Sequence, residues 1–486
     1  MLFILLFSRS LADFDFWGCL SFGRFLWENG YFPYQDVFSY TPTKPVWVYH
    51  EWLTGVILYP LFKYLGPAGV QLLRYVLIVS TILIMYLAAV KRGATAPVSF
   101  IMISIGLILI SWGYTPVIRA QIFTYLFFAL SIFLAECARK ESKYFLLLWL
   151  LPIQIFWCNL HGGFIAGLGL LALYALGEGL SGRRFMPFVL ILAGSLLVTL
   201  VNPYGFDYWR YLIDALAMTR PDIVEWHSVF KSIRGKTFAP PAILFLFLSA
   251  ASIFAIILHG KKYLTELIII VTLTFLGSKH IRHTVFMGIA FGIFLPVVLK
   301  ETFYRLSNGK LNSMASRLKP LVLFCFYLVA VFTVYMLPSI TKIQKPSDVL
   351  CPSFSLSASC SIFPCGALKW LENNSFRGNI LTSFHWGEYV IWHTYPHCKV
   401  AFDGRYETVY PEFVQKEYFD FVNANDRWKY FLEKYPHNAI LVNTKTRIHF
   451  LLTREPAWRV AYTDRLCTLF IRDDQLLNNS FPHVPQ

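Results

Sequence analysis

About ten long apolar stretches, joined by two kinds of loop in strict alternation, leave this 486-residue chain few ways to fold. One kind of loop holds Lys and Arg and little else: Lys91-Arg92, Arg139-Lys140 with Lys143, Arg183-Arg184, Lys261-Lys262, and the stretch from Lys300 to Lys319. The other kind holds acids, histidines, amides and isolated arginines: Asp13, Asp15, His50-Glu51, Arg119, Asn159 with His161, Asn202, Glu225, Lys279-His280 and Arg282-His283. Short loops rich in Lys and Arg mark the cytoplasmic side of a polytopic chain. The reactive groups then gather on the opposite face, and chemistry is expected there.

Hydrophobic residues make up 56% of the chain and charged residues 15%, and apolar runs long enough to span a bilayer recur. A formal charge of +15 in a soluble chain would suggest a nucleic-acid partner. Here much of it falls in short inter-helix loops, so membrane topology accounts for it and no nucleic acid is implied. Aromatics at 18% suit interfacial belts, and also sugar or lipid contacts. The nine cysteines show no CxxC pair and no zinc spacing. Cys351, Cys360 and Cys365 cluster after the last apolar stretch and can form a disulfide there, with the pairing left open.

Only Leu2 to Phe7 are continuously apolar before Arg9. As helix, the residues ahead of Asp13 would span roughly 18 Å against a hydrocarbon core of about 30 Å. No basic segment precedes them, which argues against a cleaved signal. They are expected to be a truncated or misassigned start that has lost part of a first transmembrane helix. Residues 13–66 then form a long outer loop with two interfacial helices, Phe16–Asn29 and Glu51–Tyr64, the second ended by Gly66-Pro67. Further spans are expected at 68–90, 97–113, 119–138, 144–159, 163–180, 186–202, 241–258, 263–278, 284–300 and 320–338.

Hydropathy collapses after Pro338. Period-two patterning predicts strands at Asn379–Ser383, Lys399–Phe402, Ala439–Val442, Trp458–Tyr462 and Cys467–Ile471, with helices at Pro411–Asn423 and Asp426–Tyr435. The expected fold is a polytopic α-helical membrane protein of about 11 transmembrane helices, with interfacial helices in its first outer loop. Residues 1–339 form the membrane domain and 340–486 a small extracytoplasmic α/β soluble domain.

Asp13-Phe14-Asp15 stands at the outer end of the first helix and the head of an interfacial one. A carboxylate held there suits a general base acting on a hydroxyl; an ordinary helix-capping acid is the plainer alternative. Around it run Asp15-Phe16-Trp17, Trp27-Glu28-Asn29-Gly30-Tyr31-Phe32-Pro33, Gln35-Asp36-Val37-Phe38-Ser39-Tyr40 and Trp47-Val48-Tyr49-His50-Glu51-Trp52-Leu53. This stretch resembles the first outer loop of GT-C glycosyltransferases, multi-spanning enzymes that take a sugar from a polyprenyl-phosphate carrier. The resemblance is to the bacterial branch with lipid A aminoarabinose transferases, protein O-mannosyltransferases and rhizobial core-sugar transferases. It covers roughly residues 11–300, including Arg119-Ala120-Gln121, Asn159-Leu160-His161-Gly162-Gly163 and Asn202-Pro203-Tyr204-Gly205. In that superfamily the catalytic base is an Asp at the end of the first helix, followed about fifteen residues later by a Gly, and Asp15 with Gly30 reproduces the spacing. The resemblance implies Asp15 as base and Asp13 as second choice. Many members have an acidic pair here, whereas Phe16 follows Asp15 in this chain, so the division of roles within Asp-x-Asp stays open.

Glu51 opens the second interfacial helix beside His50. The related enzymes carry a functional acid in this region, and a second carboxylate facing Asp15 can orient the acceptor or share a divalent ion such as Mg or Mn. The chain shows no dedicated ligand set, so the metal is left open. Asp36 lies where an Asx turn also explains it. A donor phosphate at the membrane boundary calls for cations, and Arg119, Lys279, Arg282 and His283 are unusual on this face. Arg282 is the leading candidate, and pairing with lipid headgroups is the alternative. Asn159 and His161 can line the mouth of a site or cap a helix hairpin; Asn202-Pro203-Tyr204-Gly205 reads as a helix stop. Glu225-Trp226-His227 lies in a 203–240 loop able to serve as a lid. In the tail, Phe384-His385-Trp386-Gly387-Glu388-Tyr389 and Phe402-Asp403-Gly404-Arg405-Tyr406-Glu407 bring aromatics and acids together, suited to sugars or to docking on the membrane domain. Asn373-Asn374-Ser375 fits the N-glycosylation pattern, a cheap motif.

The expected activity is transfer of a sugar from a polyprenyl-phosphate donor to a lipid, polysaccharide or protein acceptor at the outer face of a bacterial inner (plasma) membrane. Two competitors remain: a transporter or flippase for a lipid-linked glycan, and a non-catalytic envelope-assembly scaffold. Transport would place charges near the bilayer midplane, often on broken helices. The spans are expected to hold almost no ionisable residues, Arg74 being an exception.

Overall fold

Gly66 adopts φ 60° and ψ −155°, which interrupts the long helix Trp52–Arg92 just where Pro67 withdraws a backbone N–H. The expected division into a first helix ending near Gly66 and a span beginning near 68 is thus present as a break within one continuous run. A computed structural model of the protein describes residues 11–12, 14–114, 117–217, 224–235, 239–308 and 362–473. Asp13, the first apolar segment and the expected span at 320–338 lie outside the described residues.

Among the described residues six helices are long and apolar enough to cross a membrane: Trp52–Arg92, Ala96–Tyr114, Gln121–Glu141, Gly162–Leu180, Pro240–Ile257 and Ile281–Thr302. This is a helical membrane protein, but the expected count of about 11 is not reproduced. Tyr144–Leu160 and Met186–Val198 are apolar yet short. Leu264–Lys279, with 16 residues, reaches only about 24 Å against a core of about 30 Å. Of these three, only Met186–Val198 stops before the end of its expected run, 186–202.

The described chain divides into two compact units. The helical unit takes in 72–206 and the described part of 216–344. Its inner helix is Ile281–Thr302, 83% buried over its most apolar window. Gly106 and Gly288 let the helices Ala96–Tyr114 and Thr284–Asn308 touch backbone to backbone: a Cβ at Gly106 would lie 2.7 Å from the Gly288 carbonyl oxygen. Small residues at such a crossing favour helix association in lipid, where apolar burial gives little preference.

The same unit corrects the expectation that the spans are nearly free of charge. Arg92 pairs with Glu136 and, at 2.8 Å, with Glu266. Arg139 pairs with Glu136 at 2.7 Å, Glu178 at 2.8 Å and Glu266 at 3.1 Å. Tyr174 Oη donates to Glu136 at 2.7 Å and Thr265 Oγ1 to Glu178 at 2.7 Å. Glu136, Glu178 and Glu266 are all buried. Glu178 and Glu266 occupy terminal turns of their helices and Glu136 the turn before one, near the basic loops, where two arginines tie four helices together.

The sheet unit takes in 12–71, 207–215 and the described residues 362–473. Its strands are β1 Gly378–Thr382, β2 Cys398–Val400, β3 Ala439–Asn443, β4 Trp458–Thr463 and β5 Cys467–Arg472, each within a few residues of the segment expected from patterning. They run in the order β2-β1-β3-β5-β4, parallel across β2, β1 and β3 and antiparallel on to β5 and β4. The run Ala439-Ile440-Leu441-Val442 in β3 is buried throughout, as a central strand covered on both faces must be.

The outer edge of β2 is closed by the first loop. Ser39 bridges Val400 in parallel, Tyr40 N donates to Val400 O at 3.2 Å, and Val400 N donates to Phe38 O at 3.0 Å. Thr41 Oγ1 adds a bond of 2.6 Å to Ala401 O. An exposed strand edge is thereby paired. The loop, placed by sequence with residues 1–339, thus belongs to the same compact unit as the tail. The helix Phe14–Asn29 is present, but every residue from Phe16 to Gly23 is buried, where an interfacial helix would bury a single stripe. The helices Gly387–Thr394 and Trp52–Arg92 pack on it and cover the remaining faces.

Candidate active site

Asp15 lies in the first turn of the helix Phe14–Asn29, exposed at the start of an otherwise buried segment. Three residues on, one helical turn along the same face, Gly18 N donates to Glu388 Oε2 at 3.1 Å. Glu388 is buried in the first turn of the helix Gly387–Thr394. A Cβ at Gly18 would strike its carboxyl group, so only glycine lets the helix approach this closely. A Cβ at Gly404 would lie 3.0 Å from Glu388 Oε1 and 3.7 Å from Asp15 Oδ1. Both carboxyl groups therefore flank the same point of backbone.

Behind them sits a buried acid–arginine set. Arg405 donates Nε to Asp403 Oδ1 at 2.8 Å and a terminal nitrogen to Asp403 Oδ2 at 2.6 Å. Its other terminal nitrogen pairs with Asp36. Tyr410 Oη donates to Asp403 Oδ2 at 2.7 Å. Burial raises the Glu388 carboxyl well above the usual carboxylate range; Asp15 and Asp403 add to the rise, and Arg405 and the Gly18 N–H draw it back. For Arg405 burial works against the charge, yet Asp36 and Asp403 outweigh it and hold the guanidinium firmly protonated. Aromatic rings border this neighbourhood: Phe14 lies 5.4 Å from Phe363 and 5.1 Å from His385.

Glu51, expected to face Asp15, accepts from Cys19 Sγ at 3.6 Å and lies 3.5 Å from His50 Nε2. The carboxyl group flanking Gly404 beside Asp15 is Glu388. The His50 ring stacks on Tyr211 with centroids 5.4 Å apart. Asp36 forms its Asx turn, with Ser39 N donating to Oδ2 at 2.7 Å, and spends its other oxygen on Arg405. Among the described residues no group of three or more His, Cys, Asp or Glu is placed to hold a metal ion.

The helical unit carries a second, cationic cluster. Arg119 is paired with Glu225 through one nitrogen, 2.6 Å and 2.7 Å from the two carboxylate oxygens. The Arg282 guanidinium lies 4.9 Å over the Trp226 ring, and among the described residues no carboxylate pairs with it. His280 Nδ1 donates to Trp226 O at 2.8 Å and Ile281 N to His227 O at 3.0 Å, which fastens the 224–227 segment onto this turn. His283 joins the group through its ring, 5.6 Å from His280. Lys279 stands apart, exposed, with its ammonium 4.8 Å over Phe275.

No family model and no curated protein matches the chain.

Asn159 and His161 take the capping role. Asn159 Nδ2 donates to Ile155 O at 2.7 Å and Val201 O at 2.9 Å. His161 Nδ1 accepts from Gly163 N at 2.9 Å and lies 2.8 Å from Thr124 Oγ1. Asn202 closes its turn by accepting from Tyr204 N at 2.8 Å. Cys365 is disulfide-bonded, while Cys351 and Cys360 lie outside the described residues. Glu388, Asp403 and Arg405 were visible as acids and a base among aromatics, but no spacing rule places them against Asp15 across more than 370 residues. Lys231, whose Nζ lies 2.9 Å from His227 Nε2, carried no signal beyond its charge.

Proposed function

We propose that the chain is an integral-membrane glycosyltransferase of the GT-C kind, with about 11 transmembrane helices and its active groups and tail on the outer face of a bacterial inner membrane. It moves a sugar from a polyprenyl-phosphate donor to an envelope acceptor. The supporting observation is Asp15, an exposed carboxylate at a helix start beside a buried carboxyl group and bordered by aromatic rings. Two carboxyl groups in such different surroundings are what acid–base chemistry requires.

In this reading Asp15 removes the proton from an acceptor hydroxyl or amine, and the freed lone pair attacks the anomeric carbon. The bond from that carbon to the phosphate oxygen breaks, and polyprenyl phosphate leaves with the electron pair. The single displacement inverts the anomeric carbon. Arg282 is the phosphate ligand of choice, since no described carboxylate competes for it; Arg119 is already neutralised by Glu225.

Mass spectrometry of envelope glycans and glycolipids from a deletion strain tests the class of function. Loss of one sugar from an acceptor, with its lipid-linked donor accumulating, supports transfer. Accumulation of a complete lipid-linked glycan points to transport, and an unchanged glycan profile to a scaffold.

A further inference from the structure

We propose that Glu388 is the positioning partner of Asp15: the two carboxyl groups share a single proton across the Gly404 backbone, with Glu388 holding it and Asp15 left open to receive another. The proposal rests on Asp15 as the base of the preceding reading and adds a tail residue to that site.

The geometry carries it. Glu388 is fixed from one side by Gly18 N–H on the helix that bears Asp15, and from the other it meets Gly404. Glycine stands at both contacts, and a methyl group at either would press on the Glu388 carboxyl. The groups facing Glu388 are Asp15 and Cys19 from the helix, Tyr49 from the first loop, and Asp403 and Arg405 from the segment after β2. Arg405 is the one cation among them, and its nitrogens already serve Asp403, Asp36 and Ser39. Two carboxylates that flank one point of backbone, one of them sealed from water, do not both stay ionised, so the buried member keeps the proton. As a neutral acid it puts no second negative charge beside Asp15. When Asp15 takes the acceptor's proton, the pair holds two, and the exposed member returns one to water after transfer.

The test is infrared difference spectroscopy of the full-length protein in lipid nanodiscs, following the protonated-carboxyl C=O stretch through a pH titration. The wild type is expected to show the band at neutral pH and Glu388→Gln to lack it. Glutamine still accepts from Gly18 N–H, so that variant keeps the local packing. In Asp15→Asn the band is expected to titrate at lower pH, because a repelling charge has gone. A merely structural cap would titrate independently of residue 15. A band that persists in Glu388→Gln, or an unchanged midpoint in Asp15→Asn, overturns the proposal. Failure of the base reading shows separately: Asp15→Asn would then restore the envelope sugar while the spectroscopic coupling is intact.

Discussion

Arg405 and Asp36 form an ion pair whose side chains are 2% and 0% exposed, joining the tail to the first loop inside the sheet unit. The guanidinium also lies 5.1 Å over Phe38 and 4.9 Å over Trp47, so the loop wraps the cation it neutralises. Asp36 is therefore an anchor rather than a group turned toward substrate. Such pairs gain little over an apolar replacement, but breaking one strands the partner charge in a medium that cannot solvate it.

Replacing Arg405 with Met leaves both Asp36 and Asp403 buried without their cation. The sheet unit should lose about 3–5 kcal/mol of stability. Limited proteolysis should cut the 31–50 loop well below the temperature needed for wild type. Wild-type resistance would mean that the pair does not hold the loop.

The sheet unit should also be sensitive to acid. Burial pushes His437 down to about 4. Its Nε2 donates to Phe431 O at 2.9 Å, which leaves Nδ1 to accept from Tyr40 Oη at 2.5 Å. The unfolded chain binds this proton first, at about pH 6.5. The contribution is therefore complete above that pH and is lost as pH falls toward about 4, by about 3 kcal/mol in all. Denaturant titrations at several pH values should show that decline in wild type and a flatter curve in His437→Gln.

At the basic-loop end of the helical unit, Glu136 serves Arg92, Arg139 and Tyr174 at once. Glu136→Ala should destabilise the unit by about 3–5 kcal/mol, whereas Lys262→Ala, which breaks the exposed pair with Glu301, should cost at most about 1 kcal/mol. Thermal unfolding in detergent micelles separates the two. Equal effects would remove the case for a buried clamp.

Arg282→Gln should weaken binding of polyprenyl phosphate about tenfold, the scale of one charge-assisted hydrogen bond. Arg119→Gln should do less, since Glu225 already claims that side chain. Glu225→Gln should tighten binding by freeing Arg119. Unchanged affinity in Arg282→Gln would remove it from the donor site.

The sequence made local order legible and long-range partners invisible. Strands β1 to β5 followed from alternation and β-branched runs, and the break at Gly66 from its proline neighbour. Several helix ends followed as well, the run expected at 263–278 appearing as Leu264–Lys279; hydropathy did not show that 16 residues reach only about 24 Å. Glu136, Glu178 and Glu266 lie in apolar runs, and apart from Arg139, one turn from Glu136, their arginines arrive from other helices. Asp15 stands out by its place at a helix start and its spacing to Gly30, whereas the contact of Glu388 with that helix spans 370 residues and leaves no local signal. Arg119 and Glu225 were each noticed, but their pairing, which decides what Arg119 can bind, spans 106 residues.

The most direct measurement restores the deletion strain with wild type or with Asp15→Asn at matched membrane expression and weighs the envelope glycans. If Asp15 is the base of a sugar transfer, the missing sugar returns with wild type alone, and its mass names the sugar class. Full restoration by Asp15→Asn would contradict that role and move transport or scaffolding ahead of transfer.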